Sequence, residues 1–151
     1  MKTPLAAIAL LGTVAFALVP VACSSSAAAP PADGGAPPPT WTLVFGQVIT
    51  QCNDHHSGSP PAGNLDMGTQ SNAYANLVRV PASGEACGAA ALDGGTPALR
   101  VKPGDAEASL LYTKLIGTAT CGTQMPQQNA KLPQEQIDLV RSWINAGAPN
   151  D

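Results

Sequence analysis

The chain has 151 residues, of which 11% are charged and 4% aromatic, with 15 glycines and 15 prolines. Setting aside an export signal and a low-complexity spacer leaves about 110 residues, enough for one domain with one modest core and short helices between long loops. The net charge of −3 is spread along the chain with no run of Lys or Arg to neutralise phosphates, so nucleic acid is not an expected partner.

Residues 1–22 read as a signal peptide: Lys2 supplies the positive start, Leu5 to Val19 the apolar stretch, and Pro20-Val21-Ala22 the approach to Cys23. Cys23 followed by Ser24-Ser25-Ser26 resembles a bacterial lipobox, in which cleavage falls before an acylated cysteine, although Pro20 stands where leucine is usual. The expectation is an exported lipoprotein anchored to a membrane through Cys23, in the periplasm or at the cell surface. A signal peptide cut slightly later, or a retained helix over Leu5 to Ala22 near the lower length limit for a span, are the alternatives. Residues 23–40 carry the lipid-attachment cysteine and a spacer. From Ser24 to Pro39 there is one charge and no large apolar side chain, so burial cannot offset the entropy of ordering and a disordered, proline-stiffened tether is expected.

A domain is expected over residues 41–151. Trp41, Val44, Phe45, Val48 and Ile49 recur at helical spacing behind the N-cap Thr40, predicting a helix that runs to about Cys52. Asn53 to Gln70 reads as loop, Ala73 to Val80 as a short helix stopped by Pro81, and Ala82 to Val101 as irregular with a short extended piece at Leu99 to Val101. Asp105 is placed to open a helix to Gly117, with Leu110, Leu111 and Leu115 inward and Glu107 in its first turn. A loop over Thr118 to Lys131 leads to a last helix from Pro133 to Ala146, whose Ile137, Val140, Trp143 and Ile144 make one stripe and whose end is marked by Gly147 and Pro149. These elements define an all-α class: a small helical domain with long irregular loops.

Three features occur in order: Cys52-Asn53-Asp54-His55-His56 after the first helix, Pro103-Gly104-Asp105 leading to Ser109-Leu110-Leu111-Tyr112, and Met125-Pro126 before Trp143-Ile144-Asn145-Ala146-Gly147-Ala148. Together with Asn64-Leu65-Asp66-Met67 and Ala73-Tyr74-Ala75-Asn76-Leu77, they resemble the cytochrome c-like domains of exported myxobacterial and planctomycete proteins, over Leu43 to Ala148. The resemblance implies a cytochrome c-like fold binding a c-type haem, with Cys52 as a thioether site, His56 as the proximal iron ligand and Met125 as the sixth ligand. It implies a one-electron carrier with a redox partner protein in the cell envelope, and no bond-making on a substrate. The family motif is C-x-x-C-H, and here His55 replaces the second cysteine. At most one thioether bond is left, and three outcomes stay open: haem on Cys52 with two axial ligands, noncovalent haem, or a haem-free, disulfide-stapled surface lipoprotein with a structural or binding role.

Without the resemblance, His56 reads as a solvated loop histidine, Met125 as core filling and Trp143 as core. A transition-metal site from Cys52, Asp54, His55 and His56 would need a turn built for it. Asp105 and Glu107 are better explained by a helix start than as an acid–base pair, and no nucleophile, phosphate-loop or metalloprotease spacing is present. With Cys23 assigned to lipid, three cysteines are left in an oxidising compartment. If Cys52 bonds haem, Cys87 and Cys121 can close a disulfide that braces the Met125 loop, worth roughly 3 to 4 kcal/mol by the chain-entropy relation. Without haem, Cys52 competes for one of them or stays a thiol.

Overall fold

The computed structural model describes residues 37–89, 95–127 and 130–151. The signal peptide, Cys23 and nearly all of the spacer lie outside the described residues. Within them the protein is helical, with five α-helices, two short 3-10 turns and no strand, in keeping with the all-α expectation.

The Thr40 side chain accepts a hydrogen bond from the Leu43 N–H at 3.2 Å and starts α1, Trp41–Gln47. Trp41, Val44, Val48 and Ile49 are fully buried and Phe45 packs against them, so the apolar spacing is the buried face. The expected continuous helix to Cys52 is broken at Val48, and the chain continues as a 3-10 turn over Ile49–Cys52 and then α2, Asn53–His56. Consecutive β-branched residues at 48–50 crowd the preceding turn, and the Thr50 hydroxyl donates back to the Gly46 carbonyl at 3.0 Å. Helix α3 spans Gln70–Leu77, shifted three residues toward the N-terminus of its expected range. Thr69 is the missed N-cap, accepting from the Asn72 N–H, and the helix ends early because the chain turns to pair with the 99–101 segment. Val78 bridges Val101 and Pro81 bridges Leu99.

The next helix differs most from expectation. α4 spans Leu110–Ile116 and not Asp105 to Gly117. Asp105 does accept from the Ala108 N–H at 3.0 Å, but it caps a separate turn. Ser109, fully buried, accepts from the Lys102 N–H and donates to the Asp105 carbonyl, both at 2.8 Å, holding its own backbone extended. The first two amides of α4 donate instead to Leu99 and Arg100 carbonyls at 3.0 and 2.9 Å, which satisfies groups a helix start otherwise leaves orphaned. At the other end Gly117, at φ 81°, provides the left-handed residue that stops it.

Helix α5, Gln134–Asn145, buries Ile137, Val140, Trp143 and Ile144 completely. Its end is a Schellman arrangement: Gly147 at φ 99° donates to the Ile144 carbonyl, and Ala148 to that of Trp143, both at 2.9 Å. Trp143 is core, as its position on the stripe predicts. It stacks on Trp41 with centroids 5.0 Å apart, Tyr74 meets Trp41 edge-on at 5.6 Å, and the Tyr74 hydroxyl donates to the Ala148 carbonyl. Asp105 and Glu107 face cations: Lys102 at 2.8 Å holds the Asp105 carboxyl below its usual range, and Arg141 lies 3.0 Å from Glu107. These pairs are exposed and contribute little stability.

Ser109→Ala should lower the unfolding free energy by about 1 to 3 kcal/mol, because the Lys102 amide then loses its buried acceptor. A thermal melt matching that of the unaltered protein would show that the Ser109 hydroxyl does not hold the turn.

Candidate functional site

Residues from the chain between α1 and α4, from α4 itself and from the loop that follows it line a cavity of about 640 Å³, within the range of small-molecule and cofactor sites. Cys52 and His56, one helical turn apart across the start of α2, form one wall, and His55 also lines it. Met125, 69 residues beyond His56 (125 − 56), lines the same cavity. The leucines 65, 77, 111 and 115 supply apolar surface. Cys52, His56 and Met125 are thus brought together from two segments far apart in the sequence, and Met125 is half-buried on the cavity and not core filling.

His56 Nδ1 lies 2.9 Å from the Ala62 carbonyl oxygen, which can only accept, so Nδ1 carries the hydrogen and Nε2 the lone pair. A metal-bound histidine has this same arrangement, with one ring nitrogen donating to a carbonyl and the other free to ligate. Burial lowers the basicity of His56; the Ala62 hydrogen bond opposes that, and His55 and Arg100 reinforce it by charge. Cys52 is the one free thiol among the described cysteines, and burial pushes it up to about 11. Among the described residues no three His, Cys, Asp or Glu side chains gather as a metal-ion site, so Cys52, Asp54, His55 and His56 do not form one.

Cys87 and Cys121 are joined in a disulfide with Cα atoms 5.3 Å apart. It ties the turn at Gly84–Gly88 to the loop that carries Met125. That loop is also fastened to α4: the Lys114 ammonium donates to the Cys121 and Thr123 carbonyls at 2.7 and 3.0 Å, and the Met125 N–H to the Lys114 carbonyl at 3.0 Å. Helix α4 therefore sets the position of Met125.

Several cavity residues were given no role by the sequence. Met67, 2% exposed, is a second thioether on the cavity, and its N–H donates to the His56 carbonyl. Arg100, 5% exposed, and Lys114 also line it, with Glu85 the carboxylate on the same wall. Among the described residues neither cation forms an ion pair. Isolated charges in unremarkable stretches give a sequence reader nothing to connect them, and only the alternation in Leu99-Arg100-Val101 hints at a residue facing away from its neighbours.

The donor set has the kinds of group that hold a haem: one imidazole with Nδ1 already hydrogen-bonded, one thiol, a thioether lining the same cavity, and leucine side chains around them. Comparison with protein-family models, curated proteins and solved structures finds no match to the chain.

Two measurements on haem-free protein check this geometry. A thiol at about 11 in place of the ordinary 9.0 has about 100-fold less thiolate at pH 8, so Cys52 should be alkylated about 100-fold more slowly than a free cysteine and reach the free rate in denaturant. His56 binds a proton less readily folded than unfolded, so its contribution to stability is present above the unfolded value near 6.5 and lost as pH falls through it. The loss of stability from about pH 7.5 to about pH 5.5 should be smaller in His56→Gln than in the unaltered protein. Equal losses would mean that His56 is not desolvated.

Proposed function

We propose that the protein is an exported, lipid-anchored one-electron carrier with a cytochrome c-like domain that holds a c-type haem through a single thioether at Cys52. His56 and Met125 ligate the iron in this reading, Cys23 carries the lipid, and a redox partner protein in the cell envelope exchanges the electron. The observation that carries it is the convergence of Cys52, His56 and Met125 on one apolar cavity, with His56 Nδ1 already committed to Ala62. Bound haem supplies the one-electron iron couple. The chain's own part is to hold and bury the group: the Ala62 carbonyl orients the imidazole, the disulfide and Lys114 fasten the Met125 loop, and the leucine walls exclude water, which together limit the rearrangement that accompanies a change of iron charge.

The haem-free module is favoured by a different observation. None of Trp41, Ile137, Val140, Trp143 and Ile144 lines the cavity, although their cluster reaches it through Met67, Leu77 and Leu115, and the Cys87–Cys121 staple is in place. The two readings separate in a reduced-minus-oxidised spectrum with a pyridine haemochrome assay, on protein exported from cells that have haem-attachment machinery and excess haem. A band displaced toward that of a single-thioether haem is expected, lost in His56→Ala while that variant still unfolds in a cooperative thermal transition. Folded, colourless protein under those conditions would remove the electron-carrier reading and leave the stapled module.

A further inference from the structure

The most deeply buried charge in the described structure is not among the residues assigned to the site. Arg100 comes from the extended segment beside α3 and α4, is 5% exposed, and faces no carboxylate within ion-pair distance among the described residues. A buried guanidinium without a counter-ion is costly unless its donors are used. They are used on backbone: Nη1 donates to the Asn76 carbonyl at 2.9 Å, and Nη2 reaches the Gly63 and Asn64 carbonyls at 3.3 and 3.0 Å and the Ser83 hydroxyl at 3.0 Å. Two of those acceptors belong to the 3-10 turn Ala62–Asn64. The first residue of the same turn supplies the carbonyl that accepts from His56 Nδ1.

Besides these contacts the turn is held by the Asn64 side chain, which donates to the Ser83 carbonyl at 3.2 Å. Gly63 and Asn64 both have positive φ, at 64° and 52°, and neither the Ala62 nor the Asn64 side chain is buried. An independent contact bears on it from the opposite side, since a Cβ at Gly84 would come within 2.7 Å of the Gly63 Cα. Arg100 and the Gly84 backbone therefore clamp one short turn, and that turn presents the Ala62 oxygen.

We infer that Arg100 is a positioning residue for His56: it fixes the Ala62–Asn64 turn so that the Ala62 carbonyl holds the imidazole in its Nδ1–H tautomer, leaving Nε2 as the ligating atom. This rests on the reading of His56 as the iron ligand only for its purpose. The structural statement stands on haem-free protein and is tested there.

The test is the tautomer state of both imidazoles by ¹⁵N NMR of folded, haem-free protein at a pH where they are neutral. The chain has two histidines, and His55, whose ring makes no hydrogen bond among the described residues, is the internal reference. In the unaltered protein His56 should be almost wholly Nδ1–H. In Arg100→Gln its Nδ1–H to Nε2–H ratio should fall about tenfold, the loss of a hydrogen bond of about 1.4 kcal/mol, with His55 unmoved. Arg100→Lys should show the same fall, because a single nitrogen replaces the two guanidinium nitrogens that separately reach the Asn76 carbonyl and the Gly63 and Asn64 carbonyls. Gly84→Ala, which displaces the turn without touching Arg100 or His56, should also lower the ratio and keeps the test available where Arg100 variants fail to fold. An unchanged ratio in folded Arg100→Gln, or in folded Gly84→Ala if Arg100→Gln does not fold, overturns the proposal. So does full retention in Arg100→Lys alone, which would assign the effect to charge and not to the clamp. Failure of the haemochrome assay leaves this result untouched, so the two readings fail separately.

Discussion

The carbonyls of Leu99 and Arg100 accept the opening amides of α4, while Val101 exchanges hydrogen bonds with the end of α3 through Leu77 and Arg79. This extended piece is the crosspiece on which the cavity is assembled. It fixes where α4 begins, and α4 in turn holds the Met125 loop through Lys114. It ends α3 at Leu77, whose side chain forms cavity wall. Its one charged side chain reaches the turn that supports His56. With no sheet among the described residues, backbone groups here find partners in a cross-connection between helix ends, and the alternative is buried, unpaired polar atoms.

The aromatic cluster and the cavity divide the work of the small core. Trp41, Tyr74 and Trp143 draw the first, third and last helices together with large apolar area and good ring geometry. The cavity side is lined by leucines and methionines and joined by long connections. It is held by backbone hydrogen bonds, the Arg100 and Lys114 donors, and the Cys87–Cys121 bond. A ligand bound there would add stability by as much as its affinity allows.

In the proposed reading His55 stands where a second thioether cysteine would be, and Cys52, shielded by burial, is the one thiol on the cavity wall. In the proposed reading the iron ligands must do more of the holding than they would with two thioether bonds, which makes the support of His56 and of Met125 more consequential.

What the sequence by itself determined was four of the five helices, with α2 read as loop, because amphipathic spacing and terminal glycines are local properties: the buried faces of α1 and α5, the stop at Gly117 and the end at Gly147 were all legible. The order of Cys52, His56 and Met125 was legible too, as a motif, and their meeting was implied only through the family resemblance that this order carries. Only the tertiary structure decided that Asp105 caps a separate turn, since the bonds made by buried Ser109 connect residues on both sides of it. It decided that α3 stops at Leu77, because the competing partner is the 99–101 segment. It also brought forward Arg100, Lys114 and Met67, whose roles depend on carbonyls and walls contributed by distant parts of the chain. Periodicity records which side of an element faces inward. It carries no record of which distant backbone group waits there, and that pairing is what shapes the cavity.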